Sequence, residues 1–343
     1  MTLEVIDPGF LTTVQDAGRP DWTHLGVPTG GACDRWSLAV ANLLAGNVPG
    51  AAALEMTIAG GTFRATAPVR IGIAGADLGG HVRETGRHLS PGHSHDVAAG
   101  STIAFPGVAD IAAGARAYVA LPGGIDVPEV LGSRSTALAA GFGGLDGRAL
   151  RSGDVLVAAR AASVEPAQGA PGTVGGAWDA GEAWPEAIGL DGDPDRDPDA
   201  PIRIIGGPWS GIGDLVGRAW RIAPGSDRVG LRLEGPVLGP AEPRDVLSFG
   251  VVPGVIQVPP DGSPIVLLVD AQTTGGYPVA AVAIAADIPR LAQLRPGAEI
   301  RFEEVSIAAA TEAVRRQQAA LERGAALIHE SAAWDEAWRG AGG

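Results

Sequence analysis

The stretch VDAQTTGGYP, residues 269–278, sets an amide (Gln272) and two hydroxyls (Thr273, Thr274) directly before a glycine pair, Gly275 and Gly276, and then Tyr277. These side chains offer uncharged hydrogen-bond donors and acceptors. Paired glycines let a backbone approach a ligand closely, or turn successive amides toward an anion. The same glycines suit a plain hairpin turn, and spacing alone leaves both readings open. Upstream, SDRVGLRLEG (226–235) carries Arg228 and Arg232 around Gly230. Strand alternation would put both guanidinium forks on one face. There they match a carboxylate or phosphate, or pair with the chain's own acids.

Other chemical signals are thinner. His93, His95 and Asp96 form a short tract of metal-ligand type, but the SPG before them marks a turn where solvated histidines sit at no cost, so no metal is expected. Cys33 precedes a helix start, which favours a thiolate, yet an isolated cysteine is more often a small buried hydrophobe. GIGDLVG (211–217) places its third glycine one position late for a dinucleotide loop. There is no lysine: all 25 basic residues are arginine. That excludes a P-loop lysine, Schiff-base chemistry, and a biotin or lipoyl group carried on this chain.

Short apolar runs punctuated by 52 glycines and 27 prolines must position these groups. VRIGIAG, STIAF, RAYVALPG, IRIIG and PIVLLV read as strands of a mainly β fold, a barrel or sandwich. AAGSTIAF, LRSGDVLVA and LRPGAEIRF repeat one design, a glycine turn before a strand, which hints at an internally duplicated barrel. A helix is expected over 34–47, capped by Asp34, with Trp36, Val40, Leu43 and Leu44 on one face. A second lies near the C-terminus, where Ile307, Val314, Leu321 and Ile328 recur every seven residues as a core-covering stripe. The acid-, proline- and glycine-rich region 161–201 reads as a linker, leaving subdomains at 1–160 and 202–305 and a helical tail at 306–343.

At 343 residues with 45% hydrophobic side chains, the chain can bury a core in each of two domains. A formal charge of −14 argues against nucleic acid, and no apolar run reaches the roughly eighteen residues of a membrane span. With no signal-like start and no possible internal disulfide, a cytoplasmic protein is expected.

LTTVQDAGRPDWTHLGVPTGGACDRWSLAVANLLAGN (11–47), PGGIDVPEVLGSRST (122–136), SDRVGLRLEG and the long block 253–302 resemble the carboxyltransferase subdomain A/B family. The resemblance implies two cyclophilin-like β-barrel subdomains with a few flanking helices. It also implies a partner of the carboxyltransferase C/D type (KipI-like, the B component of 5-oxoprolinase). In 5-oxoprolinase complexes that pair joins a third chain, the A component, and couples ATP cleavage to hydrolysis of 5-oxo-L-proline to L-glutamate. In urea carboxylases the same modules move a carboxylate from biotin to urea, and one family name implies a regulator that antagonises a histidine-kinase inhibitor.

The family's positions here include Gln15, Asp16, Gly18, Arg19, Asp34, Glu55, Ser133, Arg134, Ser135, Thr136, Arg228, Arg232, Gln257 and the 272–277 phrase. Two departures are Gly30, where the family usually has serine, and Val279, where it often has lysine. The chemistry of these side chains suggests that QTTGGYP and SDRVGLR face a shared cleft, with Arg228 or Arg232 on a substrate carboxylate, Gln272, Thr273, Thr274, Gly275, Gly276 and Tyr277 around the substrate, and Asp16 or Asp287 as proton acceptor. ATP would serve through the complex.

Overall fold

The computed structural model describes residues 2–159, 197, 199–208, 212–239 and 246–341; nearly all of the expected linker lies outside them. The first half supplies ten strands: Thr2–Asp7 (β1), Leu11–Gln15 (β2), Ala53–Thr57 (β3), Thr62–Ala65 (β4), Val69–Gly75 (β5), His81–Val82 (β6), His93–Val97 (β7), Thr102–Ala104 (β8), Arg116–Ala120 (β9) and Val155–Val157 (β10). They form two five-stranded sheets, β10-β1-β4-β8-β6 and β2-β3-β9-β5-β7. Leu54, Met56, Phe63, Ile71, Ile73 and Val119 fill the core between them.

The helix α1 (Arg35–Leu44) crosses the second sheet. The Asp34 carboxylate caps it by accepting from Ser37 N at 2.8 Å, and Trp36, Val40, Leu43 and Leu44 are buried. Gly72 on β5 permits this close crossing, because a Cβ there would run into the carbonyl of Ala41.

In the second half the strands are Ile202–Gly206 (β11), Ala219–Ile222 (β12), Gly230–Glu234 (β13), Phe249–Gly250 (β14), Val255–Gln257 (β15), Ile265–Leu267 (β16), Thr274–Gly275 (β17), Val279–Ala283 (β18) and Glu299–Glu304 (β19). Seven of them close a barrel, β11-β18-β15-β16-β13-β12-β19, sealed by β19 pairing with β12 on one side and β11 on the other. Trp220, Leu231, Ile256, Val266, Leu268 and Phe302 pack its interior. β14 and β17 form a separate two-stranded ribbon. The chain is thus mostly strand, with a closed barrel of the cyclophilin-like type. The three repeated phrases end in β8, β10 and β19, and their glycines Gly100, Gly153 and Gly297 all take the left-handed backbone a turn requires (φ 80°, 89° and 91°).

A short helix α2 (Ile212–Leu215), a helix α3 (Ile288–Ala292) and a long C-terminal helix α4 (Ile307–Ala341) complete the description. The expected seven-residue stripe on α4 holds in its second half only: Leu321 packs on the core and Ile328 is buried, but Ile307 and Val314 are exposed, and Ala313 and Ala320 are buried instead. The helix passes close to the turn at 285–287, where Ala313 and Ala310 pack, and to α1, where Ala320, Leu321 and Ile328 pack. Among the described residues no helix is long and apolar enough to cross a membrane.

Candidate functional site at the seam of the two halves

Arg228 precedes β13 and reaches out of the barrel into the first half. Its Nε and Nη2 donate to Asp270 at 2.7 and 3.1 Å, Nη2 donates to the Gly31 carbonyl at 2.7 Å, and Nη1 donates to Glu55. Glu55 on β3 is 1% exposed and also accepts from Cys33 N (2.9 Å) and Tyr118 Oη (2.7 Å), with Arg116 Nε at 3.8 Å. Two arginines thus face two carboxylates in a nearly dry seam.

Burial pushes the Glu55 carboxyl up, but Arg228, Arg116 and the two hydrogen bonds outweigh it and hold it below its ordinary value. Arg228 is held well above its ordinary value: burial lowers it, and Cys33, Glu55 and Asp270 more than compensate. Burial pushes the Cys33 thiol up to about 12, which makes it a packing residue and not a nucleophile.

A second junction is built on α3. Gln293 Nε2 donates to Asp34 (2.7 Å) and to the Arg116 carbonyl (2.9 Å), while its Oε1 accepts from the backbone of Ala115 and Arg116. Arg295 donates to the carbonyls of Gly114 and Val108. A cleft of about 940 Å³ opens beside this junction, with Trp36, Ile111, Gln293, Arg295 and Ile300 among its walls.

Asp16 belongs to the first half's side of the seam. Its carboxylate accepts from Gly18 N (2.8 Å), Ser133 Oγ (2.6 Å) and Arg134 N (2.5 Å), tying two family motifs together. Arg19 lies alongside, 2% exposed, donating to the carbonyls of Ser135 (2.6 Å) and Val130 (3.3 Å). Gly30, with φ 58°, sits against it; a Cβ there would come within 3.3 Å of Arg19 Nη1. Asp287 lies elsewhere, fully buried before α3, where it accepts from Arg203 N (2.7 Å) and Nη2 (2.5 Å) with Arg290 at 3.5 Å.

The two arginines of SDRVGLRLEG do not share a face, because β13 begins only at Gly230. Arg228 turns into the seam, while Arg232 stands exposed on the barrel's outer surface. The loop 270–277 starts at the seam, where Asp270 is fixed by Arg228 and the Val269 carbonyl accepts from Gly30 N at 2.9 Å. It then runs outward as β17, paired with β14. Gln272, Thr274, Gly276 and Tyr277 are exposed, and Thr273 is half-buried. Neither Gly275 nor Gly276 has a left-handed backbone. Gly275 lies close against Gln257: a Cβ on it would overlap that side-chain amide, which would have to shift.

The histidine tract is an ordinary strand, β7. Asp96 is in a two-point pair with Arg70 at 2.8 Å, and His95 Nε2 lies 2.8 Å from the Ser90 carbonyl. The seam residues Asp270, Arg116, Tyr118 and Gln293 carry no local sequence signal, since their partners lie tens to hundreds of positions away.

The family model for the carboxyltransferase domain, subdomains A and B, matches residues 25–304. The chain belongs to this family. Relatives within it include the C component of 5-oxoprolinase from Escherichia coli K12, 37% identical over 95% of this chain and 99% of that protein. The corresponding protein of Haemophilus influenzae is 30% identical over 96% and 99%. Among solved structures, the K. lactis urea amidolyase superposes with a TM-score of 0.78 at 26% identity, covering 94% of this chain but 20% of that one. TTHA0988 gives 0.71 at 33% identity, covering 88% and 56%.

Proposed function

We propose that this carboxyltransferase-family chain is one component of an ATP-dependent 5-oxoprolinase complex that hydrolyses 5-oxo-L-proline to L-glutamate. Its partners are a chain of the C/D type, the B component, and a third chain, the A component. The observation that carries this reading is the end-to-end likeness to a 5-oxoprolinase component, covering 99% of its length. Within the chain, the groups available to a ligand are those with no internal commitment. Among the described residues the hydroxyls of Thr273 and Thr274 and the guanidinium of Arg232 make no hydrogen bond, and Tyr277 is 45% exposed. Arg232 is the fork for a substrate carboxylate.

Arg228, Asp16 and Asp287 serve differently. Each is engaged by protein partners: Arg228 holds the loop through Asp270, Asp16 ties the first half's motifs together, and Asp287 holds Arg203 before α3. With no lysine on this chain, ATP phosphates would be met by arginines, backbone amides or partner residues. A second reading, carboxyl transfer to urea from biotin on another chain, is favoured by the likeness to the K. lactis urea amidolyase.

The deciding experiment is glutamate formation from 5-oxoproline by the co-purified three-chain complex, with ATP present or absent and each chain omitted in turn. ATP-dependent turnover that disappears without this chain is expected. An intact complex without turnover on 5-oxoproline, but with biotin-dependent carboxylation of urea, would replace this reading with the second.

A further inference from the structure

Beneath the 270–277 loop, among the described residues, Gln257 is left with an unsatisfied polar group. It ends β15 at a bulge, where the pairing with β18 shifts register between Ile256 and Gln257. Bulges re-aim side chains, and they recur beside active sites. Gln257 is 2% exposed, and its Nε2 has no hydrogen-bond partner although it is buried. Orphaned buried donors are uncommon and costly. Its Oε1 accepts from Gln272 Nε2 at 3.4 Å, so the two side-chain amides lie edge to edge. That donor lies against Gly275, in the space that any larger residue's Cβ would take. Gln272 is exposed and its Oε1 has no partner among the described residues.

We infer that Gln257 and Gln272 form a recognition pair for an amide edge that carries C=O and N–H side by side. Gln257 Nε2 donates to the ligand carbonyl, and Gln272 Oε1 accepts from the ligand N–H. A lactam ring holds its amide cis, with both groups on one edge, so the pair is complementary to it as one carboxamide is to another. Proline has the same ring and carboxylate but no amide edge. Urea presents the same edge in open form. The pairing of Arg232 with the carboxylate then separates the two, since urea has none. This inference deepens the 5-oxoprolinase reading and rests on it for the identity of the substrate.

The test is Gln257→Met in the co-purified complex, with Gln272→Met beside it. Methionine keeps the volume and deletes a donor that the free protein leaves unpaired, so the melting temperature should stay the same or rise. The KM for 5-oxoproline should rise about tenfold, the scale of one lost hydrogen bond. Weak binding of 5-oxoproline and of urea to the complex, followed by ligand-observed NMR with L-proline as the control, should fall in both variants. An unchanged KM and unchanged binding would overturn the pair, as would a rise in KM accompanied by a falling melting temperature. If the wild-type complex binds urea through this pair yet never turns over 5-oxoproline, the pair stands and the 5-oxoprolinase reading falls. If it binds neither, both fall.

Discussion

Replacing Arg228 with leucine removes a residue that is 4% exposed and donates to Glu55, Asp270 and the Gly31 carbonyl. Buried Glu55 then keeps one arginine, Arg116, instead of two, and half-buried Asp270 loses its ion-pair partner. Deleting one member of a buried ion pair costs about 3–5 kcal/mol, a large part of the roughly 5–15 kcal/mol that holds a domain folded. The melting temperature should fall on the order of 10 °C.

The pH dependence sharpens the test. In the native protein Glu55 is held below its ordinary value, chiefly because Arg228 and Arg116 overcome burial. A lowered carboxyl contributes stability above its unfolded value, about 4.3, and loses it as pH falls through the folded value. Without Arg228, burial prevails and the carboxyl moves up, so folding now favours the protonated form and stability drops as pH rises. Urea denaturation of both proteins should therefore show a gap that is widest at pH 7.5 and narrows toward pH 4. A gap that stays constant across that range, or a melting temperature within 2 °C of wild type at pH 7.5, would refute the account of the seam.

The Cys33 thiol, pushed up to about 12 and 1% exposed, should resist a thiol-reactive disulfide reagent in the native protein at pH 8 and react fully only after denaturation. Arg232→Leu should abolish turnover by the complex with a melting temperature unchanged to about 1 °C, because exposed substitutions perturb folding little. Asp287→Asn should do the reverse, since it removes the fully buried charge paired with Arg203: a loss of about 3 kcal/mol of stability, read by denaturant titration, with the KM for 5-oxoproline preserved.

Much of the fold was legible because strands advertise themselves locally. The glycine-punctuated runs became β5, β8, β9, β11 and β16, and the helix at 35–44 carried both its cap and its apolar face in fourteen residues. The pattern on α4 held only toward its middle: Leu321 and Ile328 meet the protein, whereas Ile307 and Val314 stand exposed and the alanines Ala313 and Ala320 make the contact in the first turns. The site was half-legible. The uncharged loop residues stand exposed, as ligand-binding types in a loop should, but the pairing of Arg228 with Glu55 spans 173 positions and no spacing rule reaches that far. Alternation was applied to Arg228 two residues before a strand existed there. Gln257 did carry a signal: one amide inside the apolar run VIQV, where a polar group must find a partner or serve one.

The Arg228 contact also bears on how this protein can be inherited and engineered. A guanidinium encoded in the second half supplies one of the two arginines at the first half's buried Glu55, so cutting the gene between them would leave that carboxylate with Arg116 alone and Arg228 with Asp270 alone. Neither half should be expressible alone, while the two co-expressed should find each other. A rearrangement that moves the two subdomains as one block keeps this contact. They occur as one block in the K. lactis urea amidolyase, where nearly the whole of this chain recurs within a protein about five times longer.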